Sequence, residues 1–360
     1  TASGRRCASR HIRNNCPWKA ESRGIVHITR DLLVKFAREY VAKKTRPSND
    51  IVAVYLTGSV LTEDPLIGGS TDIDLVVVHK ENPLFEREVQ RISYEISLDV
   101  QHHHQSFYTF HRRLRLNPWL GFALCDHSAI LYDTDHWMEF IQAGVSANFN
   151  SPETLYARGQ SAAEKARQLW FELEDPQELP INLWTDLYYK AVGSAANAIA
   201  ILNGPALTTR RLLLDFPMRA EALGKLELTG ELLQLISRAP INAEILNTWR
   251  PVWENALTAA SKLPDCPPNL LPARKAYFVN SCAAMVESGT AHAALWPMVE
   301  TWRQAAQLLA EDPAQQEAWQ KFLEALEITQ SGKNEQIERL DHFLENAEAA
   351  LAGLKTEYGL

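Results

Sequence analysis

The stretch Tyr55–Val78, YLTGSVLTEDPLIGGSTDIDLVVV, decides how this chain is read. An apolar run, Ile51 to Leu56, ends at Gly58-Ser59, and a polar loop leads to Asp72 and Asp74, which open a second apolar run. Side chains alternate faces along a strand, so Asp72 and Asp74 share one face while Ile73, Leu75 and Val77 take the other. Two carboxylates on one strand face repel and resist ionising together. Packing does not ask for that arrangement. A divalent cation does, because Mg²⁺ is held by one or two carboxylates together with substrate phosphates.

Outward from this stretch, the pattern predicts an α+β unit. Ile28, Leu32, Leu33, Phe36, Tyr40 and Val41 form a helical stripe within Ile25–Lys44. Pro83–Ile92 reads as a helix crossing back over the sheet. Tyr94, Ile96, Leu98 and Val100 then alternate with Glu95, Ser97, Asp99 and Gln101, the period of a half-buried strand. Asp99 lies on the polar side of that strand and is the natural third carboxylate, with Glu95 as its alternative. Ala129–Tyr132 is a short strand, and Asp135–Ala143 a helix capped from the Asp133-Thr134-Asp135 cluster. Beyond Pro152 only helical stripes follow: Pro152–Glu174, Leu183–Leu202, Thr209–Leu223, Gly230–Ile236, Leu271–Leu309, Pro313–Ile328 and Glu335–Tyr358. The expected organisation is a leader over residues 1–24, a small mixed-sheet domain over 25–148, and a larger all-α domain over 149–360.

The 360 residues carry a net charge of −8, and 46% are hydrophobic against 22% charged. That balance disfavours a general nucleic-acid binder, which carries a basic face, and no apolar run is long enough for a membrane span. Five scattered cysteines without CxxC spacing suit a reducing cytoplasm and offer no zinc site. Residues 1–24 hold five arginines and Lys19 against Glu21. Such a composition also suits a targeting peptide, but Pro17 and the missing apolar face favour a disordered leader, translated upstream of a start near Val26.

At Gly58-Ser59, Asp72-Ile73-Asp74 and Asp99 the chain resembles the nucleotidyltransferase superfamily with the polymerase-β-like minimal fold. The resemblance covers about residues 26–148, and the layout with a helical domain behind is similar to the aminoglycoside nucleotidyltransferases. It implies that Asp72 and Asp74 hold Mg²⁺ on the phosphates of a nucleoside triphosphate, with ATP the expected donor. Gly58 and Ser59 would meet the phosphates, and Asp99 would ligate metal or take a proton from the attacking hydroxyl. A nucleoside monophosphate would pass to a hydroxyl of a small molecule and pyrophosphate would leave. Two departures stand out: Val60 where many members carry a basic residue, and an inserted Glu63-Asp64-Pro65. Phosphate charge must then be met elsewhere, and Lys190 is the expected source.

Other groups have plainer readings. Arg210 and Arg211 suit capping or surface charge. His102-His103-His104 alternate faces, so only His102 and His104 could chelate together. Trp184, Trp249, Trp253, Trp296, Trp302 and Trp319 at helical spacing read as core. The alternatives to a small-molecule acceptor are a protein or RNA acceptor, as in toxin–antitoxin nucleotidyltransferases, and a non-catalytic nucleotide-binding module of the same fold.

Overall fold

A computed structural model describes residues 28–174 and 179–360; the leader expected over residues 1–24 lies outside them. The fold is α+β. Helix α1 (Arg30–Thr45) is followed by β1 (Ile51–Thr57), β2 (Thr71–His79), β3 (Arg87–Arg91), β4 (Ile96–His104), two short helices α2 (His111–Leu116) and α3 (Leu120–Cys125), β5 (Ile130–Asp133) and α4 (Trp137–Ser146). The sheet runs β3-β4-β2-β1-β5, with β2 and β4 parallel and every other pair antiparallel.

Residues 83–92 are not a crossover helix. Pro83 is followed by Leu84, Phe85 and Glu86, and β3 then pairs antiparallel with β4 at the sheet edge. Parallel strands need a crossover connection, and here that connection itself adds a strand. Cross-strand partners override the helical look of Arg-Glu-Val-Gln-Arg. Arg87 reaches Asp99, while Glu88 on the opposite face accepts from Tyr40 and pairs with Lys44 at 3.3 Å.

The two sheet faces are unlike. Leu33, Ala37 and Val41 of α1 cover Val54, Ile73, Leu75, Val77, Leu98 and Val100. On the other face, Tyr55, Val76 and Val78 pack with Tyr108 and with Leu114, Leu124, Met138 and Ile141 of the short helices. By strand alternation Asp72, Asp74 and Asp99 lie on this second face, one end of which is apolar and the other acidic. The Asp133 carboxylate accepts from the amides of Met138 and Glu139 at 2.8 and 3.1 Å, capping α4 as its sequence suggests.

Nine helices follow: α5 (Pro152–Leu173), α6 (Ile181–Ala200), α7 (Leu212–Glu221), α8 (Leu228–Ile236), α9 (Ala243–Ala260), α10 (Lys275–Glu287), α11 (Ala291–Leu308), α12 (Pro313–Ala325) and α13 (Lys333–Tyr358), the count being of the described residues. Helix α9, with Pro251 in its middle, has no counterpart in the sequence reading. The stripe expected over Leu271–Leu309 breaks into α10 and α11 at Gly289, whose φ of +83° ends the first helix. Trp184, Trp253, Trp296, Trp302 and Trp319 are buried, and Trp249 packs against the same core. No helix among the described residues is long and apolar enough to cross a membrane.

Helical and sheet segments meet through arginines. Arg210 donates to Ser70 O at 3.0 Å, and Arg211 and Arg91 donate to the carbonyls of Asp64 and Pro272. Buried Arg158 of α5 donates to Phe149 O and Arg115 O, with its guanidinium over the Phe149 ring.

Candidate functional site

Parallel pairing of β2 with β4 sets Asp74 directly beside Asp99 and Asp72 beside Ser97. Asp72, Asp74 and Asp99 each present one carboxylate oxygen within 4.8 Å of the other two. Asp72 and Asp99 are buried and Asp74 is half-buried. The three acids read from the sequence therefore converge, and Glu95 does not join them: it accepts instead from Ser93 at 2.9 Å.

Gly58 sits against this cluster. It follows β1, where Thr57 pairs with Asp74, and opens a short helical turn, Gly58–Leu61, at a φ of +70°. A Cβ at this position would overlap the Asp74 carboxylate. Ser59 is half-buried in the same turn, with its hydroxyl 3.4 Å from that of Thr71. The glycine–serine turn and the acids thus form one surface, built by β1, β2 and β4.

The counter-charge was not legible in the sequence. Arg274 Nη1 lies 2.8 Å from Asp72 Oδ2 and 2.6 Å from Asp99 Oδ2, bridging the two carboxylates. Arg87 grips Asp99 from β3 in a two-pronged pair, at 2.7 and 2.6 Å. Arg274 comes from the turn Pro272–Arg274 just before α10, and it is buried with its guanidinium 4.4 Å from the Tyr277 ring centroid. Arg210 lies over the same ring at 3.4 Å, so it is neither a cap nor a surface charge. No spacing rule could link Arg274 to residues so far upstream; only the need to balance three carboxylates hinted at such a cation.

Asp74 is the member left out. Among the described residues it makes no ion pair, and its pKa stands well above the ordinary carboxylate value. Loss of water is the main cause, the charges of Asp72 and Asp99 add to it, and Arg274 and Arg87 only partly oppose it. For Arg274, burial works against its charge, but Asp72, Tyr277 and Asp99 outweigh that and hold its pKa above the ordinary value.

Lys190 lies elsewhere in the contact network. It pairs with Asp186 at 2.6 Å, one turn back on α6, and Asp186 also pairs with the buried Arg303. The three adjacent histidines separate as well. His102 meets His79 at 2.9 Å, His103 meets Tyr108 at 2.8 Å, and His104 meets Ser106 at 2.7 Å.

The oxygen donors suit a hard divalent cation such as Mg²⁺ in kind and in spacing. The repulsion that raises the Asp74 pKa is also what a dication would relieve. No family model matches the chain, and no curated protein does. Among solved structures, a nucleotidyltransferase-like protein from Exiguobacterium sibiricum 255-15 aligns over 81% of this chain and 90% of its own, at 11% identity and a TM-score of 0.31. So loose a superposition carries no functional weight, and the site is read from its own residues.

Proposed function

We propose that the chain is an Mg²⁺-dependent nucleotidyltransferase that moves a nucleoside monophosphate, AMP from ATP as the expected case, to a hydroxyl of a small aminoglycoside-like molecule. The observation that carries this reading is the convergence of Asp72, Asp74 and Asp99 on one sheet face beside the Gly58-Ser59 turn. Asp72 and Asp74 would hold the metal, with Asp99 completing the set. When bound, the metal supplies charge neutralisation for the attacking and leaving oxygens of an in-line displacement. Gly58 would offer the phosphate its backbone amide, and Ser59 would offer it a hydroxyl. Asp99 would orient or deprotonate the acceptor hydroxyl. Lys190 belongs to the proposal as a phosphate cation. Residues 25–148 would form the catalytic unit and residues 149–360 the acceptor unit, in a cytoplasmic protein.

One observation favours a second reading. Arg87 and Arg274 already neutralise most of the acidic cluster, as would suit a non-catalytic nucleotide-binding module that keeps the fold without turnover. A protein or RNA acceptor is the remaining alternative within the enzymatic reading.

The deciding experiment incubates the purified protein with α-labelled nucleoside triphosphates and an acceptor library. Pyrophosphate release that requires Mg²⁺ and disappears in Asp72→Ala and Asp74→Ala is the expected result. Undiminished turnover in either variant would sink the mechanism. Triphosphate binding without turnover would favour the module.

A further inference from the structure

The bridging guanidinium is placed where a metal ion would be expected to sit. Arg274 Nη1 touches one oxygen of Asp72 and one of Asp99, and both residues belong to the only cluster of potential ligands found among the described residues. The Arg274 Nε is buried and has no hydrogen-bond partner, and a buried donor left unpaired is costly. The side chain is held by the acids and by the Tyr277 ring.

We infer that Arg274 is a resident competitor for the divalent cation: it occupies Asp72 and Asp99 in the metal-free protein and must withdraw before a cation can take those oxygens. This rests on the metal-binding reading proposed above. A dication and a guanidinium on the same carboxylate oxygen repel each other at hydrogen-bond distance. Arg87 also holds both Asp99 oxygens, so it is at Asp72 Oδ2, held among the described residues by Arg274 alone, that entry of the cation displaces Arg274. Arg274 does not move alone. It ends the turn Pro272–Arg274, where Pro272 O accepts from Arg91 of β3. It leads directly into α10, where Tyr277 carries Arg210 on its ring and on its carbonyl at 3.3 Å. Arg210 in turn holds Ser70 O, two residues before Asp72. Withdrawal of Arg274 thus loosens a strap that ties the start of α10 to the ends of β2 and β3. Arg274 acts here as a positioning residue, because it controls the acids rather than the reacting atoms.

The test uses the full-length protein and Mn²⁺ alone, followed by electron paramagnetic resonance with no nucleotide present. Arg274→Gln is expected to bind Mn²⁺ at least tenfold tighter than the unaltered protein, and adding Asp72→Asn to it is expected to abolish the gain. Arg274→Lys, which keeps the charge, is expected to stay near the unaltered affinity. In parallel, hydrogen exchange on the unaltered protein is expected to speed up across residues 272–278 when Mn²⁺ is added, a response that a static structural arginine would not give. If Mn²⁺ binds the unaltered protein but Arg274→Gln binds it no tighter, or residues 272–278 exchange no faster, the competition is wrong and the metal site stands. Should Arg274→Gln fail to fold, the exchange measurement decides by itself. If no Mn²⁺ binds to any form, the metal-binding reading and this inference both fall.

Discussion

The Asp74 carboxylate rests in the space that a Cβ on Gly58 would fill. The turn after β1 and the second acid of β2 are therefore a single steric unit. Gly69 offers a control, since its φ is +66° and its Cβ position meets nothing within 4 Å. Alanine at Gly69 is expected to cost only the left-handed backbone strain, about 1–2 kcal/mol. Alanine at Gly58 carries the same strain and also pushes Asp74 out of place, so it should abolish pyrophosphate release and Mn²⁺ binding. Urea midpoints separate the shared strain from the site-specific loss. Equal behaviour of the two variants in the metal assay would show that Gly58 does not shape the site.

Lys190 has an exposed ammonium whose structural partner is Asp186. If it meets the triphosphate, Lys190→Ala raises KM for the nucleotide several-fold and leaves Mn²⁺ affinity without nucleotide unchanged. Steady-state kinetics over a range of triphosphate concentrations reads this directly. An unchanged KM removes Lys190 from the site and shifts the phosphate charge to the arginines.

Arg210 joins the loop ahead of β2 to α10 through two carbonyls and one ring. Arg210→Met keeps much of the bulk and removes the donors. The expected loss is about 1–3 kcal/mol of unfolding free energy, measured by chemical denaturation. No change in the midpoint would mean that these bonds add nothing to stability.

Acid stability should fall in two steps. Burial, aided by the charge of His102, lowers the His103 pKa from 6.5 to about 4. The unfolded chain then takes up a proton at this residue before the folded one does, so stability is full above pH 6.5 and declines as pH falls toward 4. Glu88 gives the second step. Burial opposes its charge, but the His102 ring 3.6 Å away, a hydrogen bond from Tyr40 and the charge of Lys44 prevail, lowering its pKa from 4.5 to about 2. Its contribution is present above pH 4.5 and is lost as pH falls toward 2. Urea midpoints measured against pH should lose the upper step in His103→Gln and the lower step in Glu88→Gln.

The acids and their glycine were legible because their signals are local. Alternation put Asp72 and Asp74 on one face and Asp99 on the polar face of its strand, and β2–β4 pairing brought these faces together. Strand β3 was misread because its strand partners, Gln101 for Arg87 and Val100 for Glu88, and its side-chain contacts to Asp99 and Tyr40 lie outside any local window. Helix α9 has no counterpart in that reading, although its internal Pro251 does not break the helix. Arg274 was invisible for a different reason: its function follows from a tertiary contact, and Pro272-Ala273-Arg274-Lys275 looks like an ordinary helix start.

The separation between Asp99 and Arg274 is 175 residues, and this has a consequence during synthesis. Chains emerge from the ribosome at about 5–20 residues per second, so roughly ten to thirty-five seconds pass between the two. Through that interval the newborn sheet carries three acids with Arg87 as its nearest cation. Its completion waits on the start of α10, and a fragment ending near residue 149 would stay permanently at this half-neutralised stage.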